Sequence, residues 1–162
     1  MDIPGLPARK AALKLLDAVL RRGETLDQAA QPALQGIRSD ADRALARGFL
    51  ADRMAGGESV LLLARDEGGQ AVGLCQLYPS FCSVEARPIY VLYDLFVDPA
   101  ARRAGVARAL LRAAEARAVA DGKGRLDLTT AHTNTAAQAL YRSMGWRRDE
   151  VYQTFNRWPG QA

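Results

Sequence analysis

The feature that most constrains this chain is an apolar strand pattern that passes through a short Arg/Gly turn into an amphipathic helix pattern. Residues 89–97 are dense in β-branched and aromatic side chains, and from Val106 apolar residues recur with the 3.6-residue period of a helix. A helix start carries unpaired backbone N–H groups and the positive end of the helix dipole, so small residues there let an anion approach the backbone. We therefore predict an anion-binding turn over 102–107, with positive charge from Arg102, Arg103 and Arg108.

The composition is that of one ordinary globular domain. The chain has 162 residues and a net charge of +4, and its basic excess is partly the turn itself, which favours an anionic ligand over nucleic acid or a membrane surface. No run approaches the ~18 apolar residues of a membrane span, and the first residues lack a signal-peptide pattern. Cys75 and Cys82 form neither a zinc motif nor a disulfide framework. These features predict a soluble, cytoplasmic protein with no metal site and no membrane partner.

Helical patterning fills the first third of the chain, and strand patterning dominates afterwards. We predict a helix over 8–22, a short helix near Pro32 that Thr25 and Gln28 cap, and a third helix capped by Ser39. Strands are predicted over 60–64, 71–78, 87–97, 126–130 and 151–158, with a loop over 80–85 and helices over 106–120 and 135–144. This order predicts an α+β fold with a mixed sheet.

Two motifs resemble one known family. Arg102-x-x-Gly105-x-Ala107 is similar to the Gln/Arg-x-x-Gly-x-Gly/Ala signature of the GNAT superfamily of acyl-CoA N-acyltransferases. Downstream, Asn134-x-x-Ala137-x-x-Leu140-Tyr141-x-x-x-Gly145-Trp146 looks like a second segment of that family, with Trp146 where the family has Phe. The motifs stand in the family's order, and the resemblance covers about residues 49–158. It implies a GNAT-like mixed, mostly antiparallel sheet flanked by helices, with residues 58–162 as an acetyl-CoA-binding core.

The N-terminal segment, residues 1–57, departs from the family pattern because the family's usual first strand is missing. Residues 8–20, 23–27 and 42–47 resemble the opening helices of the NusB-like RNA-binding domain of ribosomal RNA cytosine methyltransferases. Nine basic and eight acidic residues in 1–58 give no support to RNA binding through phosphates. We interpret this atypical all-helical segment as a layer that covers the sheet of a single domain, 1–162; a fusion of foreign helices is the alternative.

The resemblance implies acetyl-CoA as co-substrate, no metal, and direct acyl transfer to an amine without a covalent enzyme intermediate. The pantetheine arm would pair with the backbone of Leu95, Phe96 and Val97, as an extended peptide adds to a sheet edge. Asn134 would contact the cofactor arm, and its alternative role is that of a helix N-cap. The pyrophosphate would lie on the backbone N–H groups of the turn, which are those of Arg103, Ala104, Gly105, Val106, Ala107 and Arg108.

Proton transfer needs an acid and a base. The resemblance makes Tyr141 the candidate general acid for the leaving thiolate, and the alternative is that its ring only packs beside Leu140. Asp94 is the best-placed base, acting directly or through a water; it could instead form a structural ion pair or bind a cationic substrate. His132, the only histidine, and Glu85 are further candidates.

The acceptor is the least constrained part of the prediction. We expect a small primary amine, with a protein or peptide N-terminus as the next choice. If the N-terminal helices displace the acceptor pocket, the protein binds CoA without turnover; an RNA-binding accessory protein is a further alternative. A sheet edge that lacks its neighbour would also suit a homodimer.

Overall fold

The computed structural model describes residues 6–48 and 57–160. Its elements in chain order are α1 (Leu6–Arg22), α2 (Leu26–Leu34), α3 (Asp40–Gly48), β1 (Val60–Arg65), β2 (Ala71–Cys82), β3 (Arg87–Val97), a 3₁₀ turn (Pro99–Ala101), α4 (Val106–Ala120), β4 (Leu126–Leu128) and α5 (Thr135–Ser143). The chain divides into two compact units, Met1–Thr129 and Thr130–Ala162.

The first unit holds a mixed sheet with the strand order β1-β2-β3-β4. β1 and β3 pair with β2 in antiparallel fashion, and β4 runs parallel to β3. The β1–β2 hairpin turns at Gly69, whose φ of +78° suits glycine and whose N–H donates to the carbonyl of Asp66. The predicted α+β class, a mostly antiparallel mixed sheet flanked by helices, is confirmed.

The sheet opens beside the C-terminal half of β3. β4 pairs only with Tyr90, Val91 and Leu92, whereas β2 accompanies β3 as far as Val97, with an irregularity at Gln76 and Leu77. Among the described residues, positions 93–97 therefore have a strand on one side alone. This leaves one backbone edge of β3 facing away from β2 without a strand neighbour.

The N-terminal helices form a layer on this sheet. Leu13 and Leu16 of α1 are buried in one apolar cluster with Leu74 of β2 and Phe96 of β3, and Ala29 of α2 joins them. The Thr25 and Gln28 capping box is present, and Ser39 Oγ accepts the Asp42 N–H at 3.2 Å. α1 therefore packs on the sheet, with Ala29 of α2 in the same cluster, as the covering layer predicts; that residues 1–57 and the sheet form a single domain stays a prediction.

Gly73 of β2 lies where α4 crosses the sheet. A Cβ added there would meet the Phe96 carbonyl oxygen and Val106 Cγ1 at 3.0 Å and Leu110 Cδ1 at 3.1 Å. We expect Gly73→Ala to lower the free energy of unfolding by about 1–3 kcal/mol, because strand backbone and helix must move apart. Denaturant unfolding measures the change. Gly68→Ala is the control: its Cβ meets only Asp66 Oδ1, at 3.4 Å, so a loss of equal size there would contradict this account.

Asp17 links α1 to β1 by ion pairs. Its burial acts to raise the pKa of the carboxyl, but the hydrogen bond from Arg65 and the charge of Arg21 outweigh burial, and the pKa is lowered. A depressed folded-state pKa contributes stability above the unfolded pKa of ~3.9, and that stability is lost as the pH falls through the folded pKa.

We expect Asp17→Asn to cost about 1 kcal/mol of unfolding free energy at pH 7. The difference from the wild type should shrink below about pH 4. Denaturant unfolding between pH 7 and 3 measures it, with Glu67→Gln in the exposed hairpin turn as control. A difference that stays constant down to pH 3 would rule out the lowered pKa as its source.

Several predicted bounds are wrong. β2 extends to Cys82 and so takes up residues 80–82 of the expected 80–85 loop, and β4 ends at Leu128 rather than at 130. The expected strand over 151–158 is absent from the described structure: Asp149 Oδ1 accepts the N–H groups of Val151 and Tyr152, at 2.8 and 2.9 Å, and this side-chain turn replaces an extended start. Residues 49–56, where the third helix was expected to end, lie outside the described residues.

Candidate functional site

The turn between β3 and α4 exposes a helix start. Gly105 is the N-cap of α4, and no side chain caps the helix there. The first α-helical bond runs from the Ala109 N–H to the Gly105 carbonyl, so the N–H groups of Val106, Ala107 and Arg108 precede it. These N–H groups lie at the positive end of a 15-residue helix, an arrangement that suits an anion, and anion binding there stays a prediction.

Glycine is favoured at position 105 because its φ of +81° lies in the left-handed region. A Cβ built on it would meet nothing within 4 Å, so the space beside it is open. Arg103, two residues earlier, also has a positive φ, +66°. Such a turn, with open space beside Gly105, fits a phosphate group against the backbone.

The free edge of β3 leads directly into this turn. Phe96 is 5% exposed and belongs to the core under α1, whereas Leu95 and Val97 are half-buried. Arg102 Nε donates to the Val97 carbonyl at 3.4 Å, so one acceptor of the predicted cofactor edge already has a long hydrogen bond. The backbone edge and the helix start together form one continuous polar track, which fits an extended ligand that ends in phosphates.

Asp94 is held by an arginine that the sequence analysis did not single out. Arg9 Nε of α1 donates to Asp94 Oδ1 at 3.0 Å, and the two side chains are 33% and 13% exposed. The structure thus contains the ion pair that was the alternative to a role for Asp94 as base. The sequence contained a signal for this pair. Arg9 lies at helical spacing from the apolar face of α1, which is formed by Ala12, Leu13 and Leu16, and a charged side chain on such a face needs a partner.

Gln76 is a second polar residue that sequence reasoning missed. It lies opposite Asp94 in the β2–β3 register, so both side chains share the sheet face on which α1 packs. Gln76 is fully buried, its Nε2 donates to Ser59 Oγ at 3.1 Å, and its Oε1 has no hydrogen-bond partner in the part of the chain that the structure describes. A buried acceptor without a donor is costly.

Cys75 is adjacent to Gln76 but points to the other face of the sheet. Burial, and secondarily the negative charge of Asp94, raise the pKa of its thiol to about 12. A thiol with that pKa stays protonated at neutral pH and is a poor nucleophile. Cys75 therefore belongs to the core rather than to the chemistry of the site.

Glu85 is paired with two arginines. Its carboxylate accepts a hydrogen bond from Arg125 and lies 3.6 Å from Arg87 Nε. Arg125 also donates to Asp127 Oδ1 at 2.6 Å, so Glu85 belongs to an exposed ion-pair network beside β4. These pairs make Glu85 a weaker candidate for the base than Asp94.

The remaining predicted residues lie in the second unit. Asn134 is confirmed as the N-cap of α5, because its side chain accepts the Ala137 N–H at 3.4 Å. Tyr141 is half-buried, with its ring centroid 5.9 Å from that of Trp146. The side chain of His132 is exposed. The roles of Asn134 and Tyr141 toward a cofactor remain predictions that the resemblance implies.

The described residues show neither a metal-binding cluster nor a membrane-spanning helix. No cluster of three or more His, Cys, Asp or Glu side chains is placed to hold a metal ion. Within residues 6–48 and 57–160, no helix has the length and apolar character needed to cross a membrane.

Comparison with known proteins gives consistent matches. The sequence model of the Acetyltransferase (GNAT) family matches residues 23–146, a range that begins earlier than the expected 49–158 and takes in α2 and α3. The uncharacterized N-acetyltransferase YhfO of Bacillus subtilis (strain 168) is 40% identical over 135 residues, which are 80% of this chain and 90% of that protein.

Solved structures agree with the sequence comparisons. A crystal structure of a probable acetyltransferase is 35% identical to this chain and has a TM-score of 0.66. The match covers 74% of this chain and 80% of that protein's chain. The structure of an aminoglycoside 6'-N-acetyltransferase from Acinetobacter haemolyticus is 29% identical, with a TM-score of 0.53. This match covers 64% of the present chain and 73% of that enzyme's chain.

Proposed function

The chain belongs to the GNAT acetyltransferase family, and on this premise we propose that it moves an acetyl group from acetyl-CoA directly to a primary amine of a small molecule. The observation that carries the proposal is the continuous track formed by the free edge of β3 and the uncapped start of α4. The name of its relative YhfO, an N-acetyltransferase, supports a nitrogen acceptor.

The chain's own backbone would hold the donor. The N–H groups of residues 103–108 would bind the pyrophosphate, with Arg102, Arg103 and Arg108 adding positive charge. The edge of Leu95, Phe96 and Val97 would pair with the amides of the pantetheine arm, and the Arg102 contact to Val97 would give way to it. Acetyl-CoA supplies an acetyl group activated as a thioester.

Two side chains would handle protons. Tyr141 would donate its phenol proton to the sulfur that leaves, because an ordinary phenol (pKa ~10) and thiol (pKa ~8.5) are close enough for transfer during bond cleavage. Asp94 would receive the proton of the attacking amine. In the described structure Arg9 engages only Oδ1 of Asp94, which leaves Oδ2 for that task.

The alternative of a CoA-binding protein without turnover requires a displaced acceptor site. α1 packs on the sheet, and its Arg9 contacts Asp94. Both observations favour an acceptor site that is present beside the sheet over one that the N-terminal helices displace. No observation favours RNA binding through the NusB-like resemblance. A single domain over 1–162, a reducing cytoplasmic location for the free thiols of Cys75 and Cys82, and a homodimer remain part of the proposal.

The test is acetyl-CoA-dependent thiol release against a panel of small primary amines and one short peptide, with mass spectrometry of the products. We expect an N-acetylated small amine and slower turnover of the peptide. Thiol release that no amine accelerates would indicate acetyl-CoA hydrolysis, and no thiol release would leave binding alone. Either result would contradict the proposed transfer.

A further inference from the structure

We propose that the acceptor is a free α-amino acid, whose ammonium group meets Asp94 and Gln76 while its carboxylate meets Arg9. This inference rests on the proposed function and names the substrate class of the same site. It starts from three polar groups on the α1 face of the sheet: the Arg9 guanidinium, the Asp94 carboxylate and the Gln76 Oε1 atom.

The Arg9–Asp94 pair sets the charge that a ligand must bring. A ligand with only an ammonium group would take Asp94 from Arg9 and leave a half-buried guanidinium without a partner. Asp94 is only 13% exposed and Arg9 is 33% exposed, so separating the pair without replacing both partners is unfavourable, though less so than for a fully buried pair. A zwitterion avoids this cost, because its ammonium replaces Arg9 on Asp94 and its carboxylate replaces Asp94 on Arg9.

The geometry of the pair limits how far apart the ligand's charges can lie. Arg9 Nε and Asp94 Oδ1 are 3.0 Å apart, so the two groups that exchange with them must be close neighbours. In an α-amino acid one carbon separates the ammonium from the carboxylate. A peptide N-terminus lacks a carboxylate at that position, and a diamine lacks it altogether.

Gln76 supplies a reason for the ammonium to prefer this spot. Its side chain is fully buried, and among the described residues nothing donates to Oε1. Directly opposed residues of antiparallel strands have Cβ atoms about 5 Å apart, so one ammonium with three N–H donors can serve both Gln76 and Asp94. The substrate would thus satisfy an acceptor that no described residue satisfies.

The site also lies next to the reaction. Asp94 directly precedes the Leu95–Val97 edge, and the phosphate-binding turn follows that edge, so an arm that starts at the turn runs back toward Asp94. The α-amino group bound at Asp94 would stand at the acyl end of that arm. Arg9 is therefore a specificity-determining residue of the first helix.

The experiment compares L-amino acids with their own α-amides, which keep the amine and side chain but lose the carboxylate. For the wild type we expect kcat/KM for thiol release to be at least about 10-fold higher with the amino acid. Arg9→Gln should bring the two substrates within about 3-fold, chiefly by raising KM for the amino acid, and Arg9→Lys should restore part of the preference. Lys14→Gln removes an exposed positive charge from the same helix and should keep the wild-type preference.

The outcomes separate this inference from the proposed function. Equal turnover of acids and amides by the wild type, or an unchanged preference in folded Arg9→Gln, would overturn the inference while acetyl transfer stands. If no amine is acetylated, calorimetric titration of the same amino acids and amides decides independently of turnover. Tighter binding of the acids than of the amides, lost in Arg9→Gln, supports the site, and equal or absent binding overturns it.

Discussion

Gly105→Glu is expected to weaken acetyl-CoA binding by at least about 100-fold. The new side chain would project into the open space beside the α4 start, where the phosphates are proposed to lie. Two unit charges 4 Å apart near a protein surface interact by about 4 kcal/mol, which is enough for this loss even before steric exclusion is counted. Isothermal titration of acetyl-CoA measures the change.

The control for Gly105→Glu is Gly122→Glu. Gly122 follows α4 at its other end, has a φ of +64°, and likewise has nothing within 4 Å of a built Cβ. Both variants therefore carry a similar backbone strain of about 1–2 kcal/mol and the same added charge. We expect Gly122→Glu to bind acetyl-CoA like the wild type, and equal losses in both variants would assign the effect to strain or net charge.

Tyr141→Phe is expected to lower kcat by about 100-fold and to change the dissociation constant of acetyl-CoA by less than about 3-fold. Phenylalanine keeps the ring that lies beside Trp146 and removes only the hydroxyl group that would protonate the leaving sulfur. Single-turnover rates with a saturating amine measure the chemical step, and calorimetry measures the cofactor affinity.

Tyr152→Phe is the matched control, because Tyr152 is an exposed tyrosine of the same unit with no assigned role. It should turn over at the wild-type rate. A Tyr141→Phe enzyme as fast as Tyr152→Phe would return Tyr141 to its alternative role, a ring that packs beside its neighbours.

Local sequence signals predicted the central part of the fold well. β3 runs over Arg87–Val97 as expected, because its apolar run is bounded by a turn on one side and by Asp98-Pro99 on the other. The N-caps by Thr25 and Asn134 were also predictable, since each bond joins residues three positions apart.

The errors in the strand bounds arose because a strand depends on a neighbouring strand, which the local sequence does not show. Pro79 and Ser80 look like turn residues, but β1 accompanies β2 only as far as Leu77. Pro79 therefore lies where β2 has no second strand neighbour among the described residues, and a missing N–H is tolerated there. In contrast, the apolar residues between 151 and 158 do not alternate strictly, and propensity alone could not supply a neighbouring strand.

The site likewise combines features that the local sequence predicts with contacts between residues far apart in the chain. The turn at Gly105 could be predicted because the strand, the turn and the helix are contiguous in the chain. The Arg9–Asp94 pair joins residues 85 positions apart, and only the fold shows which carboxylate pairs with the arginine on the apolar face of α1. Gln76 was missed for a similar reason: only the fold shows that it lies opposite Asp94 and that its Oε1 has no partner among the described residues.

Residue-resolved amide hydrogen exchange with and without acetyl-CoA tests the central claim most directly. In the free protein the amides of Val106 and Ala107 precede the first helical hydrogen bond and should exchange rapidly. The account predicts that acetyl-CoA slows exchange at residues 103–108 and along 95–97. Unchanged exchange at the α4 start with saturating acetyl-CoA would contradict the assignment of this track to the cofactor.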